Sequence, residues 1–137
     1  MRGARKAIQM KYPDRYDGPT DTVHNYLKFK HTWVVPAVVV RVIDGDTVVV
    51  HMEVMPGLVL HESHVRVQGI NAPEMNTVAG RASYAVAQSL LSVNVMILIT
   101  MDDTDKFGRV LGRITMPDGR DFGQVMIDGG HAVAYNP

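Results

Sequence analysis

After residue 36 the chain is dominated by short apolar runs and period-two alternation. The valine-rich run Ala37–Asp44 predicts a strand. Asp44-Gly45-Asp46 is a tight-turn signal. In Thr47–Met55, Val48, Val50, Met52 and Val54 share one face, while Val49, His51 and Glu53 share the other. That is the alternation of a strand. Pro56-Gly57 turns the chain again, and a third strand is predicted over Val59–Ile70.

The period then changes. Asn76 or Thr77 is placed to cap a helix running to Leu91, with Val78, Ala82, Ala85, Val86, Ser89 and Leu90 on its apolar face. A fourth strand is predicted over Val93–Met101 and a fifth over Arg109–Met116, with a polar loop at Asp102–Gly108 between them. Met116-Pro117-Asp118-Gly119 suits a type I turn. Asp121-Phe122-Gly123-Gln124 reads as a capping box for a short helix to Ile127, ended by Gly129-Gly130. Three strands, a helix, two strands and a helix predict a mainly β, α+β fold: a five-stranded OB-fold Greek-key barrel with two helices packed on it.

Composition narrows the class. The chain has 137 residues, 46 % apolar and 20 % charged, as expected for one globular domain. It contains no cysteine, which removes disulfides and thiolate metal sites. The longest apolar stretch, Trp33–Ile43, is too short to span a bilayer and contains Pro36 and Arg41. No signal-peptide pattern is present, so an intracellular protein is expected, with secretion after processing left open. Residues 1–31 lack clean periodicity and are expected to form a basic arm, with a short helix near Ala4–Met10, ahead of a domain over residues 32–137. The net charge of zero divides into +4 over residues 1–30 and −4 over the rest. The body is therefore not a strong long-range attractor of nucleic acid, and attraction must come from local arginines or from the arm.

Four short segments carry candidate chemistry: Asp44-Gly45-Asp46-Thr47, Arg66, Ile70-Asn71-Ala72-Pro73-Glu74 and Asp105-Lys106-Phe107-Gly108-Arg109. Together they offer carboxylates, an amide and two guanidiniums. Carboxylate and amide oxygens suit a hard cation, and arginines grip phosphate bidentately. Asp46 opens a strand, which is a rigid place for a metal ligand. Strand geometry puts Arg66, Gln68 and Ile70 on one face. Pro73 ends that strand and leaves the Ala72 carbonyl free of the ladder, with Glu74 close behind. Each segment also has a plain reading: a tight turn, a solubilising arginine, a strand-to-helix loop, a charged turn. An EF-hand register from Asp103 fails, because its fifth and twelfth positions are Phe107 and Ile114. His61 and His64 should point to opposite faces, so no histidine metal site is expected.

The combination resembles the staphylococcal nuclease (thermonuclease) family over Ala37–Tyr135, on Val42-Ile43-Asp44-Gly45-Asp46-Thr47, Val65–Glu74, Asp105–Arg109, and the late Asp118-Gly119 and Gly130-His131-Ala132. The resemblance implies an OB barrel and a nuclease that cleaves DNA and RNA phosphodiester bonds with calcium, leaving 3′-phosphate ends. It implies metal binding by Asp46 and the Ala72 carbonyl with Asp44 nearby, and phosphate binding by Arg66 and Arg109. Glu74 matches the general base or water-positioner. Lys106 and Phe107 match nucleotide-contacting positions, and Tyr135 lies near a tyrosine of the base pocket. Asn71 stands where the family usually has Asp. It keeps an oxygen but removes a charge, which weakens calcium binding and leaves Mg2+ or Mn2+ open. The expected partners are DNA or RNA, with no membrane, no protein partner and a monomeric state. The alternative is a catalytically inactive nucleic-acid-binding OB domain.

Overall fold

A computed structural model describes residues 33–104 and 109–136 of the chain. The arm expected over residues 1–31, its short helix, and the loop residues Lys106 and Phe107 lie outside the described residues. Five strands close into a barrel in the order β1 (Trp33–Asp44), β2 (Thr47–Met55), β3 (Leu58–Val67), β6 (Val110–Thr115), β5 (Met96–Thr104). All neighbours are antiparallel except β3 and β6, which run parallel. This is the expected OB-like barrel. A two-stranded ribbon, β4 (Ile70–Asn71) with β7 (Val133–Ala134), lies beside it. Two helices complete the fold, α1 (Val78–Leu90) and α2 (Phe122–Asp128).

The alternation in β2 is realised as expected. Val48, Val50 and Met52 are buried in the core and Val54 packs against it. Val49, on the opposite face, is also fully buried, although it stands outside that cluster. On β1, Val35, Ala37, Val39 and Val42 point inward. The step of three from Val39 to Val42 marks an irregularity in the β1–β2 register, and a second falls between Val42 and Asp44. Such bulges re-aim the side chains that follow them. Here they bring half-buried Asp44 to the turn on the inward parity of the strand.

The third strand is not continuous to Ile70. It ends at Val67, and Gly69 turns the chain at φ +88 before β4 begins. A side-chain-free residue is what that left-handed conformation favours. Arg66 and Ile70 therefore belong to different ladders. The fourth predicted strand also starts late, at Met96, because Asn94 takes a positive φ of 69.

Helix α1 starts at the Thr77 cap, whose Oγ1 accepts from Gly80 N at 3.0 Å. Its buried face is only partly the expected one: Val86 and Leu90 pack against the core as expected, but the fully buried positions are others. Gly80, Ser83 and Ala87 are buried, whereas Val78 is 76 % exposed and Ala82, Ala85 and Ser89 face solvent. Small residues won the inward face because the helix sits close against the loops before it. An added Cβ at Gly80 would lie 1.8 Å from the Glu74 carbonyl oxygen. Only half of the expected capping box forms on α2. Asp121 Oδ2 accepts from Gln124 N at 2.9 Å, but the Gln124 amide reaches forward to Asp128 instead of back. Phe122 and Met126 fill the core beneath it.

The contact at Gly80 reverses a familiar rule. Alanine ordinarily favours a helix interior over glycine by about 1 kcal/mol. Gly80→Ala is instead expected to destabilise by about 1–3 kcal/mol, the usual cost of overpacking. Urea unfolding of both proteins measures this, and an unchanged or raised midpoint would mean that α1 is not seated on the Glu74 backbone.

Candidate active site

The site is built where two loops from distant parts of the chain meet. The first is the β1–β2 turn. Asp46 N donates to Asp44 Oδ1 at 3.0 Å, so the turn closes on its own carboxylate. The second is the segment after β4. Its Ala72 N donates to Asp46 Oδ2 at 2.8 Å, across 26 residues of sequence. The other oxygen, Asp46 Oδ1, accepts from Thr47 Oγ1 at 3.2 Å.

Arg66 ties both loops to the barrel wall. It sits opposite Thr47 in the β2–β3 ladder. Its Nη1 donates to the Val67 carbonyl at 2.6 Å, its Nη2 donates to Asn71 Oδ1, and the same Nη2 lies 3.4 Å from Asp46 Oδ2. Both ion-pair partners are largely buried, at 14 % and 13 % side-chain exposure. An arginine exposed in a cleft would support little packing, and Arg66 is not of that kind. Removing it strands a carboxylate in a poorly solvated place, which costs about 3–5 kcal/mol when such pairs are broken on one side.

Asp44, Asp46, Arg66, Asn71, Ala72, Pro73, Glu74 and Met75 line one cleft of about 440 Å3. Five of the expected site residues outside the loop at 105–108 thus meet with Glu74, whose side chain is exposed at the mouth. The Glu74 carbonyl is pinned by Thr77, which donates from both N (3.0 Å) and Oγ1 (2.6 Å). Arg109 stands immediately before β6 and is not among the described lining residues. Parallel pairing sets Arg66 opposite Leu111. Tyr135 N donates to the Gly69 carbonyl at 2.8 Å, and its side chain is 44 % exposed outside the described lining.

Electrostatically the turn is under stress. Burial, followed by the neighbouring Asp46 carboxylate, pushes the Asp44 carboxyl up from 3.8 to about 6, against the opposing hydrogen bonds from the Asp46 backbone and Thr47. Two carboxylates with an amide and a backbone carbonyl at hand form an all-oxygen donor set suited to a hard cation. Among the described residues no three His, Asp or Glu side chains gather round one point. A cation here would therefore need neutral oxygens from Asn71 and Ala72, which fits their place in the cleft. The rings of His51 and His61 meet edge-on at 4.8 Å, and His51 Nδ1 accepts from Glu62 N at 3.1 Å. That pair braces the β2–β3 hairpin.

Reading the sequence missed what lies behind the cleft. Ser83 is fully buried, its Oγ has no hydrogen-bond partner, and a Cβ on Gly45 would fall 2.0 Å from it. The spacing Gly80, Ser83, Ala87, Leu91 was the available signal, a helical stripe of mostly small residues.

The family model described as staphylococcal nuclease homologue matches residues 64–137. The stretch includes Arg66, Asn71, Ala72, Glu74 and Arg109 but not the Asp44–Asp46 turn, which the Asp46–Ala72 hydrogen bond attaches to it. A protein of Escherichia coli named "Uncharacterized endonuclease" is 36 % identical over 97 residues, covering 71 % of this chain and 59 % of its own length. A counterpart in Escherichia coli O157:H7 with the same name gives the same figures. "Protein ParB" of Escherichia coli is 35 % identical over 106 residues, with coverages of 71 % and 55 %. The chain thus spans less than two thirds of the length of these relatives.

Asp44 yields a pH signature. Its folded carboxyl binds a proton more tightly than the unfolded one. The stability it contributes is therefore complete below about pH 4 and is lost as pH rises through about 6. Asp44→Asn keeps the Oδ1 acceptor and removes the charge. In chelator, the variant is expected to melt above the wild type at pH 7 and level with it below pH 4. A melting difference independent of pH would show that Asp44 is not the stressed group.

Proposed function

Since the chain belongs to the staphylococcal nuclease homologue family, we propose that it is a metal-dependent nuclease that hydrolyses DNA or RNA phosphodiester bonds with little sequence preference. The observation that carries this reading is the shared cleft, where Asp46, Arg66, Asn71, Ala72 and Glu74 converge. No helix among the described residues is long and apolar enough to cross a membrane.

Asp46, the Asn71 amide oxygen and the Ala72 carbonyl would hold the divalent ion, with Asp44 behind them. Calcium is the family expectation, and magnesium or manganese remain candidates because Asn71 is uncharged. A bound divalent ion supplies Lewis-acid polarisation of the phosphoryl oxygens. Glu74, exposed at the mouth, orients a water and takes its proton as the water attacks phosphorus. Arg66 and Arg109 donate to the non-bridging oxygens as charge builds on them. The phosphorus–oxygen bond to the 5′-oxygen breaks, the departing oxygen takes a proton from solvent, and the phosphate stays on the 3′ side, as the family resemblance implies.

The test is cleavage of single-stranded DNA and RNA with calcium, magnesium or manganese, against chelator controls. Cleavage is expected to need a divalent ion. Glu74→Gln is expected to lower the rate by about a hundredfold and to alter the pH–rate profile while leaving melting unchanged. Retardation of DNA without cleavage under every ion would reduce the protein to a binding domain.

Asn71 gives a separate expectation. Asn71→Asp adds a carboxylate at the site, worth up to about 4 kcal/mol at 4 Å and an effective dielectric near 20. Desolvation and the adjoining Arg66 guanidinium offset much of that. Calorimetric titration without nucleotide is expected to show calcium binding about tenfold tighter in the variant. No tightening would place Asn71 away from the ion.

A further inference from the structure

The cleft shares one wall residue with a second depression. Met75 lines the cleft and also lines a groove of about 250 Å3 on the outer side of α1, together with Arg81, Tyr84, Ala85 and Gln88. The surface around this groove is unusual for a solvent-facing helix. Such helices ordinarily carry charges over their exposed face. The thirteen residues of α1 include one charge, Arg81. Val78, Ala82, Ala85 and Ser89 surround it with a smooth, small and uncharged surface. The helix has no acidic residue in its first turn. Among the described residues the Arg81 guanidinium makes no ion pair, unlike Arg41, Arg66 and Arg120, which are held by Glu62, Asp46 and Asp118.

The groove also holds a prepared aromatic. Tyr84 is half-buried, and Gln88 Nε2 donates to its hydroxyl at 2.8 Å, which restrains the ring. A restrained aromatic face, a free guanidinium and an amide in one shallow groove match the chemistry of an unstacked nucleotide. The base stacks on the ring and the phosphate meets the cation. Met75 provides an apolar link between this place and the cleft. In a body whose acids outnumber its bases by four over residues 31–137, an unpaired arginine beside the cleft is a local exception.

We infer that the Met75–Arg81–Tyr84–Gln88 groove is a second nucleotide subsite, which takes the single strand as it leaves the cleft. This rests on the nuclease reading and extends it, since it makes the enzyme sensitive to substrate length. A dinucleotide fills the cleft alone. A longer single strand reaches the groove and gains one stacked base and one phosphate contact.

The test compares kcat/KM for a dinucleotide with that for a single strand of about ten nucleotides, within the usual site size of such barrels. Fluorescence anisotropy of the same labelled strand in chelator gives binding without cleavage. The proteins are the full chain, Tyr84→Ala, Tyr84→Phe, Arg81→Ala and Arg81→Lys. Tyr84→Ala is expected to lower the long-to-short kcat/KM ratio about tenfold, the scale of one lost base stack. Tyr84→Phe should recover most of it, because the ring remains. Arg81→Ala is expected to weaken long-strand binding and to reduce the salt slope by about 0.7, the value for one phosphate contact on a single strand. Arg81→Lys should keep that slope. A length ratio unchanged within twofold in both alanine variants overturns the subsite, as does an equal loss on both substrates. If the wild type cleaves neither substrate under any ion, the nuclease reading has failed. The anisotropy then still decides the groove, and equal affinities across the variants overturn it.

Discussion

One hydrogen bond holds the site together, from Ala72 N to Asp46 Oδ2. It joins a turn at the end of β1 to a loop after β4, across 26 residues of sequence. The Arg66 guanidinium reinforces it by meeting Asp46 and Asn71 from the barrel side. Both partners are largely withdrawn from water, so the pair is screened little and its geometry is tightly constrained. The carboxylate that would hold a cation is thus already engaged with an amide and a guanidinium. That engagement pre-organises its oxygens instead of leaving them to solvent.

The helix behind the cleft fixes the remaining freedom. Gly80 lies against the Glu74 carbonyl, and Gly45 lies against Ser83 and Ala72. Neither position has room for a larger neighbour, so α1 sets the distance between the two loops. A buried hydroxyl without a partner costs about 1–3 kcal/mol. Ser83 carries that cost directly beneath the turn that holds Asp44 and Asp46. The Gly45 and Ser83 pair explains why the turn needs glycine even though Gly45 has no positive φ: the constraint is space.

What the sequence disclosed follows from the range of the interactions involved. The barrel was legible because alternation in β2 and the apolar runs of β1 and β5 are local patterns that one buried face imposes. The break at Gln68-Gly69 was not, because β4 exists only through its pairing with β7, more than sixty residues away. The face of α1 was legible only at Val86 and Leu90, for the same reason. Hydrophobicity favours Val78 and Ala82, but the close approach of two loops selects Gly80 and Ser83. The candidate residues themselves were legible as motifs. Arg66 as a cross-link between Asp46 and Asn71 was not, since a strand arginine looks the same in sequence whether it is solvated or buried.

On the proposed reading, charge dictates an order of events. The cleft lining presents Asp44, Asp46 and Glu74 against the guanidinium of Arg66, which is already paired. A polyanion approaching this lining meets net repulsion until a divalent ion adds two positive charges. An ion approaching first finds one firmly placed carboxylate, a stressed second one at Asp44 and the neutral oxygen of Asn71. Each ligand therefore improves the site for the other, and the coupling must be equal in both directions. A carboxylate at position 71 would loosen this dependence by letting the ion bind unaided. Asparagine keeps the oxygen and the hydrogen bond from Arg66 while leaving the final charge to be supplied by phosphate.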